Sequence, residues 1–244
     1  MYITPSKNRR NRRFAYLLAG GLLALGVITC VEHPILVPTL LLCPLAFWFV
    51  RRKTVRRLKV MQTPFPAAWD AILTSHVAYF NALSEPERDR FRKLMLVFLD
   101  EVRITGIRTD VDDQCRVLVA ASAIIPVFAF PDWEYSGLGE VLIYPSAFGS
   151  NYSVDGERRE NIVGMVGTGH LRGVMVLSKP DLIAVFRHPE DKRNVGIHAF
   201  AHLVDLGDGV IDGIPPGVPP EIAMPWVEWV ACALIHPPPR ASHI

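Results

Sequence analysis

Two uncharged apolar runs open the chain, Phe14 to Val31 and Pro34 to Val50, with Glu32, His33 and Pro34 at the break between them. As helices rising about 1.5 Å per residue, each reaches roughly 26 Å, close to the ~30 Å hydrocarbon thickness of a bilayer. The pattern predicts a two-helix transmembrane hairpin with spans at 14–31 and 34–50. Five basic residues (Lys7, Arg9, Arg10, Arg12, Arg13) precede the first run, and six (Arg51, Arg52, Lys53, Arg56, Arg57, Lys59) follow the second. The positive-inside bias then puts both flanks in the cytoplasm, giving an inner-membrane protein whose main domain faces the cytoplasm. A cleaved signal peptide would leave one apolar segment, whereas here a second follows at once.

Thr63-Pro64-Phe65-Pro66 reads as a linker, dividing the chain into an N-terminal part, 1–60, and a main domain, 61–244. Within the domain, apolar residues at helical spacing predict a helix from Trp69 to Leu83. Ser84 and Glu87 form a capping box, with Pro86 in the first turn of a second helix running to about Glu101. Val102 to Ile104 alternates like a strand, and Asp110 to Asp113 offers caps before a buried helix in Val117 to Phe128. Glu140–Tyr144 and Gly173–Leu177 read as further strands. Gly164, Gly167 and Gly169 lack the Lys-Ser/Thr ending of a phosphate loop and read as a plain loop. The mixture predicts an α+β domain.

Composition adds one constraint. The 50% hydrophobic content suffices for a core of ordinary size. The net charge of +2 conceals an asymmetry, since residues past 60 hold 15 of the 26 basic and 23 of the 24 acidic side chains. That acidic domain lacks the basic patch of a nucleic-acid binder, so direct nucleic-acid binding is not expected. Four cysteines without C-x-x-C spacing imply neither a thiol metal site nor a disulfide framework.

Candidate chemistry lies in Asn194 to Asp205, where His198 and His202 stand at i and i+4. On a helix that spacing puts two imidazoles on one face, able to share one metal ion. The peptidase form of the pattern, H-E-x-x-H, adds a Glu beside the first ligand as general base. Here that position is Ala199, whose methyl group accepts no proton, so no catalytic residue is assigned.

The block Asn194-Val195-x-Ile197-His198-x-Phe200-Ala201-His202-x-x-Asp205, followed by Asp212-Gly213-x-Pro215, resembles the Mlc titration factor A family of zinc-dependent peptidases. Val141–Pro145, the strand ending Leu177-Ser178 and the apolar helix from Val117 to Ala123 stand in that family's order, over approximately residues 70 to 230. The resemblance implies a zincin-like metallopeptidase domain, a zinc ion held by His198 and His202, and a peptide substrate lying beside a strand in which Val174, Val176 and Leu177 are candidates. It also implies a third ligand from a Glu well beyond the second His. The chain ends forty-two residues after His202 with Pro237-Pro238-Pro239, so the domain reads as C-terminally truncated relative to the family. Glu228 is the foremost replacement, with Glu221, Asp208, Asp212 and His236 behind it, and Asp205 reads as an acceptor orienting a ligand imidazole. One branch of the family is connected with a sugar-responsive transcriptional repressor, which the resemblance offers as a partner. The expected function is a membrane-anchored zinc peptidase with impaired or lost hydrolysis. The alternative is a non-catalytic pseudo-peptidase that binds a peptide or regulatory protein.

Overall fold

A computed structural model describes residues 1–32, 42–130, 133–135, 137–146, 164–166, 173–187 and 195–205. Helix α1 spans Pro5–Glu32 and α2 spans Leu42–Met61. Neither follows the boundaries of its apolar run. Arginine and lysine extend a helix almost as readily as leucine, so α1 starts within the basic segment and α2 continues from Val50 through Lys59. Of the second run, Leu42 to Val50 lie in α2, and 34–41 are outside the described residues. Among the described residues no helix is long and apolar enough to cross a membrane, which overturns the expected transmembrane hairpin.

The two helices pack side by side. Asn11 donates its side-chain amide to the Val50 carbonyl at 3.4 Å, and Arg51 donates to Asn8 Oδ1 at 2.7 Å. The basic half of α2 meets acidic partners on the main domain. Arg56 grips Asp100 through two bonds of 2.7 and 3.0 Å. Arg57, only 3% exposed, donates to both Glu101 oxygens at 2.6 and 2.8 Å and also to Glu134, which in turn accepts from Lys53 at 2.9 Å. Burial alone would raise the Glu134 carboxyl, but the bonds from Arg57 and Lys53 prevail and hold it at about 2. Packing of α2 on the main domain therefore spans the boundary expected between residues 60 and 61.

The expected helix from Trp69 to Leu83 is two helices, α3 (Ala67–His76) and α4 (Ala78–Ala82), parted where Val77 turns extended. The Asn81 side chain donates to the Thr74 carbonyl at 2.7 Å across the break. Helix α5 (Glu85–Glu101) begins at the expected capping box, the Ser84 amide donating to Glu87 Oε2 at 2.9 Å. It buries Phe91, Leu94, Met95 and Phe98 on one stripe. Asp112 caps α6 (Asp113–Ile124) by accepting from the Cys115 amide at 2.7 Å. Val117 through Ile124 are buried on every side of α6, because α3, α5, α7 and α8 all pack against it. A 3-10 turn over Ile125–Val127 follows.

Four strands, β1 (Arg103–Gly106), β2 (Glu140–Tyr144), β3 (Gly164–Val166) and β4 (Val174–Ser178), form one sheet in the order β1-β2-β4-β3. The first three in that order run parallel and β3 runs antiparallel at the edge. Helix α7 (Lys179–Arg187) and α8 (Val195–Asp205) complete the described fold. The expected α+β class is accordingly corrected. The described fold is mostly helical with a small, chiefly parallel sheet, and α6 lies between parallel strands β1 and β2, as a parallel connection demands. The segment read as a loop at Gly164 supplies strand β3. Three residues are too few for any periodicity to show.

Candidate metal centre

Helix α8 carries the His pair, and its sequence dictates which way it faces. Phe200 and Val204 are buried, His198 and His202 are exposed on the opposite side, and Ala199, which flanks the pair, is buried as well. Phe200 anchors the inward face, its ring standing edge-on to Phe98 at 5.7 Å and to Tyr135 at 5.4 Å. Tyr135 is held in turn by its hydroxyl, which donates to the Ala123 carbonyl at 2.6 Å. Burial pushes that phenol far above its ordinary range and keeps it a neutral donor.

Where α8 crosses α6, Gly196 lies against Ser122 and Leu182. A Cβ at Gly196 would stand 2.4 Å from Ser122 Oγ, so the close crossing depends on the missing side chain. Ser122 Oγ is buried with no hydrogen-bond partner among the described residues. Helix α8 also packs on β3, β4 and α7, so three sides are fixed and, among the described residues, the His-bearing side is left open.

On that open side His198 Nε2 and His202 Nε2 lie 3.0 Å apart, with ring centroids at 4.4 Å and planes at 79°. A tetrahedral zinc with Zn–N near 2.05 Å sets its ligand nitrogens about 3.3 Å apart, so a shift of a few tenths of an ångström accommodates the ion. Burial first, then the neighbouring His202, lowers the His198 pKa below its ordinary value, favouring the neutral imidazole that a metal requires. The donor set thus fits two of the positions of a zinc site.

The other expected residues do not join the pair. Among the described residues no group of three His, Cys, Asp or Glu side chains converges as a metal site. Asp205 ends α8, and its side chain lies outside the described residues, as do Glu228, Glu221, Asp208, Asp212 and His236. His76 is engaged elsewhere, between Ser75 Oγ at 2.7 Å and Gln114 Nε2 at 3.1 Å. Val174, Val176 and Leu177 are on β4, which is interior. Val176 and Leu177 pair with β2 on one side and β3 on the other, leaving no backbone groups there for a peptide. The edge next to α8 belongs to β3. A cavity of about 510 Å³ between the end of α5 and the first residues of β1, β2 and β4 is lined by Asp100, Glu101, Arg103 and Glu140, with no residue of α8.

Sequence reasoning overlooked Gly196, Ser122 and Phe200 as the groups that seat the helix. The signal was available for Phe200, a large apolar residue two positions after His198 and hence on another face. Nothing local marks Ser122, whose importance arises only from the crossing.

The chain is 28% identical over 165 residues to an uncharacterized protein of Synechocystis sp., a match that covers 66% of this chain and 60% of that protein. Residues 49–236, more than three quarters of the chain and including α8 with both histidines, match the glucose-regulated metallo-peptidase M90 family, and the chain belongs to that family.

Proposed function

We propose that the chain is a zinc-binding protein of peptidase type, in which His198 and His202 hold one ion on the open side of α8 and an extended peptide lies along the β3 edge. The observation that carries this reading is the 3.0 Å approach of the two Nε2 atoms on an exposed face. When bound, zinc supplies Lewis-acid polarisation of a peptide carbonyl. The neutral imidazoles hold the ion, and Phe200, seated on Phe98 and Tyr135, holds the helix that presents them. The side of β3 that no described strand pairs offers backbone donors and acceptors that recognise peptide of any sequence. Ala199 moves no proton, so hydrolysis is slow, by about 10²–10⁴-fold relative to a chain with a general base.

The burial of Ala199, 4% exposed, favours a second reading as a peptide-binding module without turnover. Reconstituting the full chain with zinc and assaying peptide cleavage before and after Ala199→Glu separates the two. One zinc per chain, with cleavage rising 10²-fold or more in Ala199→Glu, supports the enzyme reading. Zinc without cleavage in either form supports the binding module. No zinc in either form overturns both.

A further inference from the structure

The α1–α2 pair carries a surface that the His site does not use. Helix α1 buries Ala15 and half-buries Asn11, Ala19 and Leu22, a stripe at helical spacing that fits the contact with α2. Most other large side chains of this stretch face outward. Phe14, Leu17 and Leu23 of α1 and Leu45, Trp48 and Phe49 of α2 are between 49% and 75% exposed. A helix surface that faces water is ordinarily polar, and an exposed apolar expanse of this kind marks an interaction face.

The register of the two helices tells what kind of partner fits. The bonds from Arg51 to Asn8 and from Asn11 to Val50 place the basic segment of α1 level with the start of the basic segment of α2. The apolar segments of both helices therefore lie together beyond a common collar of arginines. The collar is divided by function. Lys53, Arg56 and Arg57 are engaged by Glu134, Asp100 and Glu101. Arg9, Arg12, Arg13 and Arg52 are exposed and make no ion pair among the described residues. Glu32 is the one acidic residue before Asp70 in the sequence, so the two helices themselves supply no counter-charge beside these four arginines. Arg52 lays its guanidinium over Phe49 at 4.2 Å and Trp48 at 5.7 Å, the posture of a side chain whose stem follows apolar surface while its charge stays at the boundary.

We infer that the α1–α2 pair docks onto an anionic lipid surface, with its apolar end partitioned among acyl chains and Arg9, Arg12, Arg13 and Arg52 at the level of the phosphates. Partitioning requires no helix to cross the bilayer. Apolar burial supplies adhesion and the arginines supply preference for negative headgroups. A protein partner or a second copy would be served by the apolar face alone. The uncompensated arginines at its rim favour lipid.

The test is sedimentation of the full chain with vesicles of phosphatidylcholine alone and with about one third phosphatidylglycerol. The expected result is binding that favours the anionic vesicles and weakens with salt. The triple variant Arg9→Gln/Arg12→Gln/Arg13→Gln is expected to lower the anionic partition by about 100-fold. Leu17→Asp/Leu23→Asp is expected to abolish binding to both vesicle types while leaving the circular dichroism of the chain unchanged, since both positions are exposed. Trp48 emission is expected to shift to the blue with anionic vesicles, a change absent in Trp48→Phe. Retention of the native chain in the supernatant with anionic vesicles overturns the inference. So does equal binding of the native chain and the arginine triple variant, or a defined dimer in sedimentation velocity that anionic vesicles neither bind nor dissociate.

Discussion

Replacing Gly196 by alanine adds one methyl group at the crossing of α8 over α6. The new carbon would stand 2.4 Å from Ser122 Oγ and 3.0 Å from both Ser122 Cβ and Leu182 Cδ1. The hydroxyl can rotate away, but Ser122 Cβ is fixed to the α6 backbone, so the helices must separate. Such overpacking costs ~1–3 kcal/mol. Alanine's higher helix propensity returns at most ~1 kcal/mol in a helix interior, and less here in the first turn. A net loss of about 1–2 kcal/mol is expected, seen as a fall in Tm of roughly 2–8 °C. Because α8 moves as a unit, zinc affinity at His198 and His202 is expected to fall too. Thermal unfolding of Gly196→Ala, Ser122→Gly and the double variant measures the coupling, expected at ~0.5–3 kcal/mol in favour of the double variant. A Gly196→Ala protein as stable as the native one, with no coupling to Ser122, would refute the close crossing on which the placement of the His pair rests.

Other consequences follow from the same contacts. Phe200→Ala empties the space between Phe98 and Tyr135 and is expected to cost ~3–5 kcal/mol in urea unfolding, with loss of bound zinc. Arg57→Ala leaves Glu101 and Glu134 without their shared partner. Because both carboxylates retain contact with water, the expected cost is about 2–3 kcal/mol, below that of a fully buried pair. Glu134 titrates at about 2 in the fold, below its ordinary 4.5. Its contribution is present above pH 4.5 and lost as pH falls toward 2, and Glu134→Gln is expected to flatten the acid limb of stability against pH over that window.

The parts of the fold that were legible in the sequence are those written in local chemistry. The Ser84–Glu87 box, the Asp112 cap and the stripe of Phe91, Leu94, Met95 and Phe98 each act within one or two turns, so neighbours in sequence suffice to find them. The His pair belongs to the same class, since i and i+4 are neighbours on any helix. Long-range pairing was not legible. The interior position of β4 depends on its distant neighbour β2 and on β3, whose three residues are too few to show a pattern, and nothing in Val174 to Leu177 reveals whether its edges are taken. The apolar runs near the start misled for a related reason. Hydropathy registers where charges begin, whereas a helix ends where its backbone bonds end, and α2 carries through six basic residues. Three of those, Lys53, Arg56 and Arg57, have a use that only the assembled fold discloses, because Asp100, Glu101 and Glu134 lie far along the chain.

The measurement that bears most directly on the account is the zinc content and X-ray absorption spectrum of the full chain, set beside His198→Ala/His202→Ala. The account predicts one zinc per native chain with two imidazole nitrogens at ~2.0–2.1 Å, and no stoichiometric zinc in the double variant. Equal zinc in the two proteins, or a native spectrum without imidazole scattering, would contradict it.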